Sequence, residues 1–278
     1  MLKQRVITGL ILAALFLGVI FGLDTAQVRW VFALVVVLGA YEWARLAGFS
    51  RRPIRIAYSV LMFICMYFSY SVFVPAYGLQ PIFIIASMFW LFALIWIVTY
   101  QTQVRVIRLN AVFKLLMGLF VLIPAWFALV FLHSQSLNNE ARGVLLFIIL
   151  LAVALADVGA YFAGRAFGKH KLASKVSPGK TWEGLLGGVL TSIIVLLIAA
   201  YSLQLNSRLL ILFVISGAVA TLISIPGDLL ESLLKREAGV KDSGTLLPGH
   251  GGILDRIDSI TAAAPVFACL YCLWAPLI

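Results

Sequence analysis

Runs of about 20 apolar residues follow one another along nearly the whole chain, and they restrict its fold more than any other feature. A helix needs about that length to cross a hydrocarbon layer. Nine stretches reach it: Val6–Leu23, Val28–Ala47, Ile54–Val74, Pro81–Tyr100, Val112–His133, Val144–Gly164, Leu185–Leu203, Leu209–Leu230 and Ser259–Leu277. The runs are continuously apolar rather than alternating, which favours helices over the strands of a barrel. Of the 278 residues, 63% are hydrophobic and 12% charged, about half the charge of a soluble domain. The expected fold is all-α: a polytopic integral membrane protein with about nine transmembrane helices.

The net charge of +10 would suit nucleic acid, but its placement does not. With the N-terminus inside, all of the 21 Lys and Arg except Arg29, Arg142 and Arg208 fall in the cytoplasmic segments. That group includes Arg51, Arg52, Arg55, Arg105 and Arg108. This bias orients the chain, with the N-terminus cytoplasmic and the C-terminus on the opposite side. Anionic head groups, not nucleic acid, explain the basic loops. Met1–Leu23 leads through Asp24-Thr-Ala-Gln into a second span, so it reads as a first transmembrane helix rather than a cleaved signal. Cys65, Cys269 and Cys272 lie inside apolar spans, so no disulfide framework or zinc knuckle is expected.

The chemistry is unevenly spread. Residues 1–140 read as a transmembrane scaffold, and 141–278 as a catalytic region with cytoplasmic loops at 165–184 and 231–258. In the first part, Glu42 lies three residues before Arg45 and is expected to pair with it. Arg51, Arg52 and Arg55 read as a topology anchor, and His133 as a structural interfacial residue.

Two segments differ. Asp157 sits deep in an apolar span, where an unpaired carboxylate is costly. It precedes a loop with Lys169, His170, Lys171, Lys175 and Lys180. Ser177-Pro178 is expected to open a helix, with Thr181 as its N-cap and Glu183 in its first turn. A basic loop feeding a helix N-terminus suits a polyphosphate, although the GxxxxGK[ST] order is absent.

The second segment runs from Ile225 to Asp258. Pro226-Gly227 weakens the eighth span just before Asp228. If a helix resumes there, Asp228, Glu231, Ser232 and Lys235 share one face. Asp255 and Asp258 share a face at the start of the ninth span. The turn Pro248-Gly-His-Gly-Gly252 could bring backbone N–H groups to a phosphate. A solvated loop of ion pairs would not require carboxylates at both membrane edges and a glycine-rich turn. Hard oxygen donors without a Cys or His cluster point to magnesium, with or without a second hard cation.

These residues resemble the signature of the phosphatidate cytidylyltransferase (CDP-diacylglycerol synthase) family. Its pattern of Ser-x-apolar-Lys-Arg, Lys-Asp and His-Gly-Gly-apolar-x-Asp-Arg-apolar-Asp is matched without departure. The matching residues are Ser232-x-Leu234-Lys235-Arg236, Lys241-Asp242, His250-Gly251-Gly252-Ile253 and Asp255-Arg256-Ile257-Asp258. Ser177-Pro178 and Lys180-Thr181-Trp182-Glu183-Gly184 are similar to the family's second recurring stretch.

The resemblance implies that CTP and phosphatidic acid become CDP-diacylglycerol and pyrophosphate, with magnesium dependence, in a multi-pass inner-membrane enzyme that is often a homodimer. The active site would face the cytoplasm. Asp228, Asp255 and Asp258 would hold the metal. Lys235, Arg236, Lys241 and Arg256 would neutralise phosphates, and His250 would shape the loop over the leaving group. Asp242 would support them or cap a helix. Asp157, Ser177, Lys180, Thr181, Ser232, Gly251 and Gly252 would line the substrates. The rival readings are a CTP-dependent polyprenol or phytol kinase, which would release CDP, and a secondary transporter or lipid flippase, which would be expected to show repeated halves.

Overall fold

The computed structural model describes residues 2–102, 109–138, 140–247, 249 and 251–275. The all-α polytopic expectation holds. Nine long helical segments run among the described residues: α1 (Leu2–Gly22), α2 (Thr25–Leu46), α3 (Arg52–Tyr77), α4 (Gln80–Thr102), α5 (Ala111–Ser134), α6 (Val144–Phe167), α7 (Trp182–Ser202), α8 (Ser207–Glu237) and α9 (Leu254–Trp274). Eight are long and apolar enough to cross a membrane, and Gly9–Gly22 of α1 is a shorter apolar helix. Side chains turned outward stay apolar, as at Phe92, Ile95, Ile194 and Ile198. A surface of this kind suits lipid, not water.

Local chemistry sets the helix ends. Asp24 accepts the Gln27 backbone N–H at 2.8 Å while the Gln27 side chain accepts from Asp24 N at 3.1 Å, a capping box that separates α1 from α2. Asn110, Thr181 and Asn206 cap α5, α7 and α8, each side chain accepting one backbone N–H. A π-helical turn at Ser69–Phe73 widens α3 just before Pro75.

Helix α9 is the most buried of the spans and packs against α8, α5 and α4, whereas α3 is the outermost. Helices α6 and α7 pack closely: a Cβ on Gly188 would sit 2.8 Å from the Ala156 carbonyl oxygen. Small residues permit that approach, and dispersion between the backbones then holds the pair.

Successive helices alternate in direction, so their polar ends collect on two faces. On one face, Lys114 at the start of α5 pairs with Glu237 at the end of α8 at 2.6 Å. Glu42 near the end of α2 accepts the Leu254 N–H at the start of α9. On the other face, His133 is fully buried and bonds Thr25 Oγ1 at 3.0 Å and the Ile20 carbonyl oxygen at 2.9 Å. The expected structural role of His133 is what the contacts describe. Among the described residues all three cysteines are free.

Three local expectations change. Ser177 does not open a helix: Ser177–Thr181 is a strand (β2) paired antiparallel with Lys171–Ala173 (β1), and the helix begins at Trp182. Pro226-Gly227, expected to weaken the eighth span, does not interrupt it: α8 runs unbroken to Glu237. Proline removes one N–H from the helix, but packing on both sides carries it through. Gly227 lets α9 approach until a Cβ there would meet the Asp258 carbonyl oxygen at 2.5 Å. Glu42 does not pair with Arg45: Arg45 Nη1 donates to the Ser243 carbonyl oxygen at 3.5 Å, and Glu42 turns inward. Arg105 and Arg108 lie outside the described residues.

Candidate active site

The continuous α8 places Asp228, Glu231, Ser232 and Lys235 on one face, as the spacing requires. Asp228 is held from two sides. Lys180 Nζ lies 2.6 Å from Oδ2, and Ser232 Oγ donates to Oδ1 at 3.1 Å. Lys180 comes from β2, which the Thr181 cap ties to α7: Gly184 N–H reaches Thr181 Oγ1 at 3.1 Å.

Lys180 and Asp228 line an open cleft of about 360 Å³ between α6, α7, α8 and the hairpin. Asp157, Ser177, Thr181 and Gly179 line it too, with Tyr161, Leu185 and Ile225 as apolar walls. Asp157 is therefore not enclosed among apolar side chains: it is exposed and opens into this cleft.

The basic loop is more constrained than its sequence suggests. His170 Nδ1 lies 2.7 Å from Glu183 Oε1, and Lys171 Nζ donates to the Pro178 carbonyl oxygen at 2.9 Å. Trp182 N–H bonds the His170 carbonyl oxygen and Gly184 N–H bonds Thr181. Two donors at the start of α7 are therefore already used, which narrows the room for an anion there.

Asp255, in the first turn of α9, forms a second centre. Its Oδ1 accepts Lys235 Nζ at 2.7 Å. Its Oδ2 accepts Gly252 N at 2.8 Å, Ser243 N at 3.0 Å and Ser243 Oγ at 3.0 Å. Behind it stands Glu42, which is 1% exposed and accepts Ser243 Oγ at 3.1 Å and Leu254 N at 2.9 Å. The sequence reading placed no chemistry on Glu42. The signal available was a carboxylate near the end of an apolar span.

Glu231 and Asp258 lie between the two centres. Both line a tight cavity of about 10 Å³ with Trp43, Trp90 and Gly227. Glu231 is 3% exposed, and its carboxyl group lies against those of Asp255 and Asp258. Lys235 Nζ stands 3.4 Å from Oε1. Asp258 Oδ1 accepts Ser259 N–H at 2.7 Å.

The remaining basic residues are spread over the rim. Arg236 is exposed and its Nε donates to the Val176 carbonyl oxygen at 3.4 Å, tying α8 to the hairpin. Lys241, Asp242 and Arg256 are exposed on the loop and the first turn of α9. Gly251 adopts φ +82°, and its carbonyl oxygen accepts Leu247 N–H at 3.0 Å. His250 lies outside the described residues. Among the described residues, no three acidic, histidine or cysteine side chains gather as a ready-made metal cage.

The described helices make a membrane-spanning class of protein, with a cleft whose cationic and carboxylate wall stands beside apolar side chains. The sequence profile described as the cytidylyltransferase family matches residues 3–274. The chain is 43% identical to a phosphatidate cytidylyltransferase of Pseudomonas aeruginosa, over 99% of this chain and 98% of that one. It is 37% identical to one of Haemophilus influenzae over 98% and 99%. A phosphatidate cytidylyltransferase of Staphylococcus epidermidis is 42% identical over 52% of this chain and 55% of its own. The chain belongs to the cytidylyltransferase family, and the resemblance read from its motifs holds across its length.

Proposed function

We propose that this chain transfers the cytidylyl group of CTP to phosphatidic acid, giving CDP-diacylglycerol and pyrophosphate. A phosphate oxygen of phosphatidic acid bonds to the α-phosphorus of CTP, and the bond from that phosphorus to the bridging oxygen breaks as pyrophosphate leaves. The attacking oxygen is already ionised, so no strong general base is needed. What the reaction asks for is positioning and charge neutralisation.

The observation that carries this reading is the cleft in which Lys180 and Asp228 face the same space as Tyr161, Leu185 and Ile225. Such a wall lets a phosphate meet cationic groups while its acyl chains stay against apolar side chains. Lys180 neutralises substrate phosphate from within the cleft, Lys235 from beside Asp255, and Arg236, Lys241 and Arg256 from the rim. Ser177, Thr181, Ser232, Gly251 and Gly252 shape the space around them. His250 is assigned the loop over the leaving group by its place in the motif, with Asp242 as support.

The donor set fits magnesium. It is all oxygen, it carries more carboxylates than cations, and it includes the buried carboxyl group of Glu231. Asp228 and Asp258 would hold the ion, joined by Asp255, whose two oxygens are oriented by Lys235, Ser243 and Gly252. When bound, magnesium would neutralise charge on the triphosphate. The Lys and Arg bias supports a site facing the cytoplasm, and the family resemblance supports a cell inner (plasma) membrane. A homodimer follows from the family resemblance alone.

Purified protein given CTP and phosphatidic acid should release magnesium-dependent pyrophosphate and form CDP-diacylglycerol. Release of CDP instead would turn the reading to a lipid kinase. A lack of turnover with several lipids in folded protein would return it to a transporter.

A further inference from the structure

Glu42 is a buried carboxylate that the transfer reaction above does not use. It belongs to α2, far in sequence from the motif residues, and none of the ion pairs among the described residues includes it. Burying a charge where a leucine would pack is costly unless its hydrogen bonds are needed. Those bonds go entirely to the loop that leads into α9: Ser243 Oγ at 3.1 Å and Leu254 N at 2.9 Å. The loop closes around the carboxylate with no spare room, because a Cβ on Gly252 would lie 2.5 Å from Oε2. A Cβ on Gly244 would collide with Oε1.

The same loop residues hold Asp255. Ser243 offers both its N–H and its hydroxyl to Asp255, and Gly252 offers its N–H. Two carboxylates therefore pinch the two ends of the loop together, one from α9 itself and one from α2. Asp255 in turn keeps Lys235 at 2.7 Å. Arg45, one helical turn beyond Glu42, adds a bond to the Ser243 carbonyl oxygen.

We propose that Glu42 is a positioning residue for cytidylyl transfer. It fixes Ser243 and Leu254 so that Asp255 holds its orientation toward Lys235. This rests on the reading of Asp255 and Lys235 as parts of that site. Groups that orient a metal-facing carboxylate change metal affinity or activity by about 10–100-fold when removed.

The test compares the full-length protein with Glu42→Gln, Glu42→Ala and Ser243→Ala, and with His133→Ala as a buried control at the opposite face. One readout is amide hydrogen exchange across residues 241–254, without metal or substrate. The other is the magnesium concentration that gives half-maximal turnover. Glu42→Ala and Ser243→Ala should raise exchange in the loop and move the magnesium midpoint upward by about 10-fold or more. Glu42→Gln, which keeps an acceptor of the same shape, should stay close to wild type, and His133→Ala should move neither readout.

Unchanged loop exchange and an unchanged midpoint in both Glu42→Ala and Ser243→Ala would overturn the proposal. So would equal changes in His133→Ala, since they would reveal a general loss of packing. If Glu42→Ala fails to fold, Ser243→Ala carries the test with the loss of one hydroxyl. A wild-type protein that makes no CDP-diacylglycerol would sink the functional reading instead, while loop exchange would still show whether Glu42 holds the loop.

Discussion

Glu42 and Asp255 converge on one hydroxyl: Ser243 Oγ lies 3.1 Å from Glu42 Oε2 and 3.0 Å from Asp255 Oδ2. A hydroxyl has one proton, so it donates to one carboxylate at a time. The rest of the hold comes from backbone N–H groups of Ser243, Gly252 and Leu254. The arrangement leaves no volume for a side chain at Gly252.

Gly252→Ala is therefore expected to abolish turnover, because its Cβ would run into Ser243 Oγ and the Glu42 carboxylate. Gly18→Ala in α1 meets nothing within 4 Å. It should leave turnover intact and stabilise the helix by up to about 1 kcal/mol. Turnover and melting temperature of the two variants, measured side by side, check this.

The Lys180–Asp228 pair is about a quarter exposed on each side, and such a pair adds little to stability. Lys180→Met and Asp228→Asn should melt near wild type while kcat/KM falls about 100-fold, the scale for removing an electrostatic partner of a transferring phosphate. A loss of activity that merely tracks a loss of folded protein would contradict this assignment.

Lys114 and Glu237 reverse that split. They are 2.6 Å apart, about one-tenth exposed, and tie α5 to α8 outside the cleft. Removing one partner strands the other, at a cost of about 3 kcal/mol. Unfolding of Lys114→Met should show this loss, with kcat of the folded fraction close to wild type.

Thr181 both caps α7 and lines the cleft. Thr181→Ser keeps the cap and should be nearly silent in a melting experiment. Thr181→Ala should cost about 1 kcal/mol.

The spans were legible because continuous apolar runs have few other uses, and the faces of α8 and α9 followed from helical spacing. The course of α8 through Pro226 was not, since a Pro-Gly pair signals a break and only packing against α9 overrules it. The hairpin ending in Ser177–Thr181 was hidden because Ser-Pro before a capping threonine also reads as a helix start. Glu42 was hidden more deeply. Arg45 offered a local partner three residues on, whereas the hydroxyl that Glu42 binds is 201 residues away in sequence. Long-range hydrogen bonds leave no periodic mark.

The most direct measurement follows the label from CTP carrying radioactive phosphorus at either the α or the γ position, with phosphatidic acid and magnesium. Label from the α position should enter the lipid, and label from the γ position should leave as pyrophosphate. Label from the γ position in the lipid would mean phosphoryl rather than cytidylyl transfer, and would contradict the account.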